Sequence, residues 1–349
     1  MKFGKEGFCR RRSKEKKAGG SGFGSEKFYS TLVDFHLKRF FEERADAVSS
    51  VVALMLILAV IATFISIYAT TFIPGLKQQS EIEQVEDVKE SFIRFSNDIE
   101  HITSGKSEGK YSEMIPLGAG DILMSPEKSS GALGVTGLGS MAEIYIDNGT
   151  EPVFSFGLVN VSYVPLYTFW EKQGYSWQYG YINATKDEKS TPLMKYTMDD
   201  VIKSDFKDFS ESLVSFRDEG VYNAVTDKYD LFSLSIDAVN ITPGKERFVT
   251  GNSVSNLVVS SKTSEKDYVN VTKIEFLFEN DTACPAKSEF SGFTLNKTSD
   301  FLSSLHADYD NVNSLQVDPG KEGPDKLTLA FGSNVTVSIH SVDITVSAT

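Results

Sequence analysis

Residues 51–73 read VVALMLILAVIATFISIYATTFI, and no charged residue occurs between Ala47 and Leu76. The hydrocarbon core of a bilayer, about 30 Å thick, is crossed by about 20 apolar residues in a helix, so this stretch is long enough to span it. A helix of that length inside a soluble protein normally keeps a polar face. Residues 46–76 are therefore read as a transmembrane helix, with membrane lipid as its first expected partner.

The flanks orient the helix. Arg10, Arg11, Arg12, Lys14, Lys16, Lys17, Lys38, Arg39 and Arg44 precede it, whereas Lys77 is followed by Glu81, Glu83, Glu86 and Asp87. The positive-inside rule keeps residues 1–45 in the cytoplasm and sends the C-terminal part outside, as in a single-pass protein of the cell membrane. Residues 1–50 hold 12 Lys and Arg against 7 Asp and Glu, which leaves 23 basic and 41 acidic residues, a net −18, for the remainder. An acidic body repels a phosphate backbone, so nucleic acid is not an expected partner. Within the leader, Tyr29, Leu32, Val33, Leu37, Phe40 and Phe41 recur at helical spacing, which suits either the inner membrane interface or another protein surface. The leader and the apolar stretch are both too long for an ordinary secretory signal. Cys9 and Cys284 fall on opposite sides of the span and cannot pair within one inserted chain.

Beyond Pro74-Gly75, Val85, Val88, Phe92, Phe95, Ile99 and Ile102 follow one another at steps of three and four. That is a narrow apolar seam on an amphipathic helix over residues 77–104, awaiting either a second copy or the protein's own β domain. Residues 105–140 are rich in Gly and Ser, as in LGAGD, SSGALG and GLGS, and are read as a connection. From residue 141 to residue 349 the alternation is that of strands. Phe232, Leu234 and Ile236 are expected on one face, as are Ile274, Phe276 and Phe278, while Val335, Val337 and Ile339 lead into Val342, Ile344 and Val346. Gly332-Ser333-Asn334 reads as the turn of a terminal hairpin, and short helical patches are expected near residues 199–203 and 300–306. The expected fold is thus a membrane-anchored α+β chain with one N-terminal transmembrane helix, an amphipathic extension and a mainly antiparallel β-sandwich or jelly-roll-like ectodomain.

Eight of the fourteen asparagines after the span begin an N-x-[ST] triplet: Asn148, Asn160, Asn183, Asn240, Asn270, Asn280, Asn296 and Asn334. A triplet is worth little alone, but this excess reads as a glycoprotein surface outside the cell. Asn334 is the firmest site, because a turn precedes it and core residues follow.

The segment Glu43-Arg44-Ala45-Asp46-Ala47-Val48-Ser49-Ser50-Val51-Val52, leading into ALMLILAVIA, resembles the N-terminus of archaeal type IV pilin-like proteins. The resemblance covers residues 43–100. In that family a prepilin peptidase removes a charged leader, and the freed hydrophobic helix serves as anchor and then as filament core. Carried over, it implies cleavage between Ala45 and Asp46, with partners that are further copies or other pilin-like subunits. The function it implies is that of a structural or adhesive surface protein. An uncleaved, single-pass tethered glycoprotein that binds a carbohydrate or protein partner stands as the alternative.

Motifs of catalysis are missing from the sequence. There is no HExxH or phosphate-binding loop, and His36, His101, His306 and His340 do not sit at metal-ligand spacing. The cluster Asp308, Asp310, Asn311 and Asn313 offers oxygen ligands but lacks the order of an EF-hand, so a solvated polar turn is preferred. No enzyme activity, cofactor or metal is expected. The aromatic run Trp170, Tyr175, Trp177, Tyr179 and Tyr181 places its last four members on one strand face. That face is either half of a core or a surface for stacking on a glycan.

Overall fold

The computed structural model describes residues 49–118, 128–147, 149–187, 189–194, 197–279, 284–320 and 324–349. The chain divides into two compact units at Ala69/Thr70.

The first unit contributes helix α1, residues 49–67, every residue of which is exposed. Its hydroxyl at Thr63 donates to the carbonyl of Ala59 at 2.7 Å, so this polar group is satisfied within the helix. That is the arrangement hydrocarbon surroundings require. A π-helical turn, Tyr68–Phe72, follows at the unit boundary. Pro74 accounts for it: its ring lacks an N–H and crowds the carbonyl four residues back, and a wider turn relieves both effects.

The second unit begins with α2 (Ile73–Gly105), on which the predicted seam is buried from Val85 to Ile102. The protein's own β domain fills the seam. Phe95 meets Trp177 edge-on at 5.3 Å, Phe92 meets Tyr175 at 6.1 Å, and Trp177 Nε1 donates to Ser96 Oγ at 3.0 Å. Six buried apolar side chains at about 1.5–3 kcal/mol each amount to roughly 10 kcal/mol of transfer free energy, which the β domain already takes up. The buried stripe continues upstream through polar residues, Gln84, Glu81 and Lys77. Glu81 accepts the backbone N–H groups of Thr168 and Phe169 at 3.1 and 2.9 Å, and Gln84 Nε2 donates to Pro116 O and Tyr163 Oη, both at 2.9 Å.

The strands are β1 (Gly109–Pro116), β2 (Ser130–Ile146), β3 (Phe154–Leu166), β4 (Gln173–Gln178), β5 (Tyr181–Lys186) and β6 (Lys189–Pro192). Two short helices, α3 (Met198–Val201) and α4 (Lys207–Ser212), flank a π turn and precede β7 (Val214–Asn223), β8 (Lys228–Pro243), β9 (Phe248–Gly251) and β10 (Val254–Phe278). Helix α5 (Pro285–Asp308), β11 (Val312–Asp318) and β12 (Asp325–Ala348) complete the chain. Among the described residues the twelve strands form one mixed sheet in the order β6-β5-β4-β3-β2-β10-β12-β8-β7, with β1 on β10, β9 on β2 and β11 on β12. The pairing of β12 with β8 is parallel, and the other pairings are antiparallel. Although β3 and β8 are not neighbours in that order, Gly157 N on β3 donates to Asn240 Oδ1 on β8 at 3.0 Å.

Several expectations need correction. The Gly/Ser-rich stretch 105–140 is no simple connection, since β1 and the first half of β2 lie in it. Leu133 and Val135 supply the inward residues, and Gly131, on the same face, sits against the Tyr163 ring, where a Cβ would come within 2.7 Å. Gly332-Ser333-Asn334 is not a hairpin turn. β12 runs straight through it, and its register against β10 jumps from Val271↔Val335 to Lys273↔Ala330, so the residues form a bulge within one strand. Phe232 does not share the face of Leu234 and Ile236. The register against β7 shifts between Glu219 and Gly220, and this turns Phe232 outward at 49% exposure while the other two are fully buried. The patch expected at 300–306 belongs to the 24-residue α5, whose inner side includes Thr294 and Thr298 alongside Phe290, Leu302 and Leu305. A face built partly from threonine carries a weak apolar period.

Candidate functional site

The aromatic run is a core element. Tyr175 and Trp177 alternate inward on β4, but the strand ends at Gln178, which pairs with Tyr181 across a two-residue turn. Tyr179 and Gly180 have φ of 52° and 83°, the pair of positive values that a type I′ turn uses. Glycine is needed at the second place, because a Cβ there would lie 2.4 Å from the Phe209 ring. The run is therefore a hairpin and not one strand. Trp177 packs on Phe209 at 5.7 Å, Tyr179 on Phe290 at 5.1 Å and Tyr181 on Phe206 at 5.1 Å. Tyr175, Trp177, Tyr179 and Tyr181 are buried and Trp170 is half-buried, so the aromatic face is closed to an external glycan. Tyr181 does line a cavity of about 540 Å³ with Asn97 and Glu100 of α2 and with Asp205 and Asp208.

The sequons separate into classes. Asn270, Asn296 and Asn334 are exposed. Asn270, at φ 61°, and Asn334 both sit at the irregularity where β10 and β12 lose register. Asn183 is only 3% exposed and its Nδ2 donates to Tyr181 Oη at 3.2 Å, so the folded body leaves no room for a glycan there. Asn160 is half-buried. Asn240 is half-buried too, and its Nδ2 is engaged by Asp343 Oδ1 at 2.9 Å. Asn148 and Asn280 lie outside the described residues, as do the cleavage positions Ala45 and Asp46 and the amphipathic leader helix.

A charged cluster that sequence spacing did not announce lies where β7, β8, β10 and β12 run side by side. His340 Nδ1 is 3.1 Å from Asp237 Oδ1, and Nε2 is 2.7 Å from Glu265 Oε1. Arg217 Nη2 and Ser215 Oγ also donate to Asp237, each at 3.0 Å. Burial opposes a charge on the ring, but the hydrogen bonds to Glu265 and Asp237 outweigh it and raise the His340 pKa. With both ring nitrogens given to carboxylates, the imidazole is an ion-pair partner and not a poised base. Nearby, Lys106 donates to the carbonyl of Ser212 and Lys297 to that of Glu211 at 2.5 Å, capping the end of α4, and Lys297 also donates to the carbonyl of Val214 at the start of β7 at 2.6 Å. Burial pushes the Lys106 ammonium down to about 8.

The polar cluster after α5 is structural. Asn311 bonds both the N–H and the carbonyl of Leu231, at 2.8 and 2.7 Å, and Asp310 N donates to Tyr229 O at 2.9 Å. Among the described residues, no group of three His, Cys, Asp or Glu is arranged to hold a metal ion. No protein-family model matches the chain, and neither does any curated protein or any solved structure.

Proposed function

We propose that the chain is a membrane-anchored, pilin-like surface protein with a structural or adhesive role. Its leader is removed between Ala45 and Asp46, and its apolar helix serves as lipid anchor and as the surface for association with further copies or other pilin-like subunits. The observation that carries this reading is helix α1, the one helix among the described residues long and apolar enough to cross a membrane, with every residue from 49 to 67 exposed. In lipid, or against copies of itself, that surface is satisfied.

The body is extracellular and glycosylated in this reading, with Asn270, Asn296 and Asn334 as its acceptors. Their exposure supports it, whereas Asn183 carries no glycan in the folded body. The sheet is taken as a two-layered sandwich, on the strength of the contact between the non-adjacent strands β3 and β8. The reading is non-catalytic, in keeping with a histidine whose two nitrogens are both committed to carboxylates. With the aromatic hairpin inside, self-association takes precedence over glycan binding.

Protease added to intact cells stripped of any outer coat tests the topology. Loss of epitopes beyond residue 105, with those before residue 45 spared, is the expected result. Protection of the C-terminal body would refute it.

A further inference from the structure

Phe232 points outward from β8 near the rim of the sheet. A bulge in β8 sets this ring at 49% exposure beside Tyr229, itself 46% exposed, instead of in the core that the alternation of β8 would otherwise give it. Bulges recur where a strand re-aims a side chain at a functional surface. The Tyr309 ring closes the far wall, lying over Gly220 so closely that a Cβ there would come within 2.3 Å. Its hydroxyl donates to Asp218, which fixes both side chains.

Together these groups border an open pocket of about 590 Å³, whose remaining walls are Glu219 and Asp308. Neither of these two carboxylates has an ion-pair or hydrogen-bond partner among the described residues, and the nearby basic residue Arg217 is engaged by Asp237. The pocket thus combines aromatic surface with unneutralised negative charge. It does not suit a metal ion, because its carboxylates do not converge as ligands. It also opens at the rim of the sheet, since β7 is the last strand in the order and is paired with β8 alone. A partner chain approaching there meets unpaired backbone N–H and C=O groups as well.

We infer that this pocket is a recognition site for a basic side chain, lysine or arginine, carried by a partner protein that docks along the β7 edge. The rings supply the negative faces that attract an ammonium or guanidinium, and the free carboxylates supply the countercharge. A neutral or acidic side chain finds neither match.

The full-length chain, labelled with 3-fluorotyrosine and held in detergent micelles, is titrated with butylammonium chloride while fluorine NMR is recorded. Sodium chloride serves as the ionic control and 1-butanol as the neutral one, and Tyr229→Phe and Tyr309→Phe assign the two resonances. The expected result is a saturable shift at Tyr229 and Tyr309 with butylammonium alone, while Tyr111 and Tyr145 stay still. Half-saturation should rise at least tenfold in Glu219→Gln/Asp308→Asn and in Phe232→Ala, variants confined to exposed or unpaired groups so that the fold persists. An equal response to butanol or sodium chloride, a shift that never saturates, or half-saturation unchanged in both variants overturns the assignment.

Discussion

Helix α1 and helix α2 are both long, yet one leaves all of residues 49–67 exposed and the other buries a stripe from Ile73 to Thr103. The difference lies in how apolar residues are distributed and not in how many there are. In α1 they surround the helix, so no single protein face can cover them, and lipid or several neighbouring helices can. In α2 they repeat at three and four with charges between, so one β domain covers them and water takes the rest. In the proposed pilin-like role the first surface serves assembly or anchoring and the second fixes the body to the helix.

Substitutions on the two helices should differ most in their effect. Phe95→Ala removes a fully buried ring between α2 and the sheet and should cost about 3–5 kcal/mol in urea unfolding of the body. Ile61→Ala, on the exposed surface of α1, should leave the same unfolding curve within about 0.5 kcal/mol. Equal losses would mean that α1 is also packed by the body. The reverse experiment places a charge in α1. Ile61→Arg should disfavour insertion by about 2.5–3.5 kcal/mol, read as a shift of the chain from the membrane pellet to the supernatant on alkaline extraction, with the body still folded.

The seam of α2 was legible because its apolar residues keep helical spacing over more than two heptads, and the strands at 274–278 and 335–346 were legible because alternation holds through the first and, in the second, on both sides of the single three-residue step from Ile339 to Val342. The continuation of the seam through Gln84, Glu81 and Lys77 was hidden, since burial of polar residues depends on partners such as the Thr168 and Phe169 amides that no local pattern reveals. Likewise Tyr179-Gly180 lacks the Asn-Gly signature of its turn, so a hairpin read as one strand. The β8 bulge at Phe232 and the β12 bulge at Asn334 arise from register against a neighbouring strand, information a single strand does not carry. The His340 cluster draws on residues from four strands spread between residues 215 and 340 and could not be read from spacing.

A smaller effect sharpens the hairpin assignment. Gly180→Ala introduces a Cβ at positive φ that meets the Phe209 ring, and a loss of about 1–3 kcal/mol in the unfolding of the body is expected. A neutral outcome would mean that the turn is not held as described.

The smallest effect depends on pH and belongs to the body alone. His340 has a folded pKa above its unfolded value, so its ion pairs contribute fully below about pH 6.5 and fade as pH rises through the folded value. Because the ring is partly exposed, the contribution should stay below about 1 kcal/mol. His340→Gln should flatten that part of the stability profile in lipid and detergent alike. A profile unchanged by the substitution would remove the ion-pair role.

The most direct test of the central claim is mass spectrometry of the chain recovered from its native membrane, read at the N-terminus. The expected first residue is Asp46, which frees the apolar helix from its basic leader. Peptides spanning Arg44 to Val48 intact in most molecules would contradict it and leave a permanently tethered protein in its place.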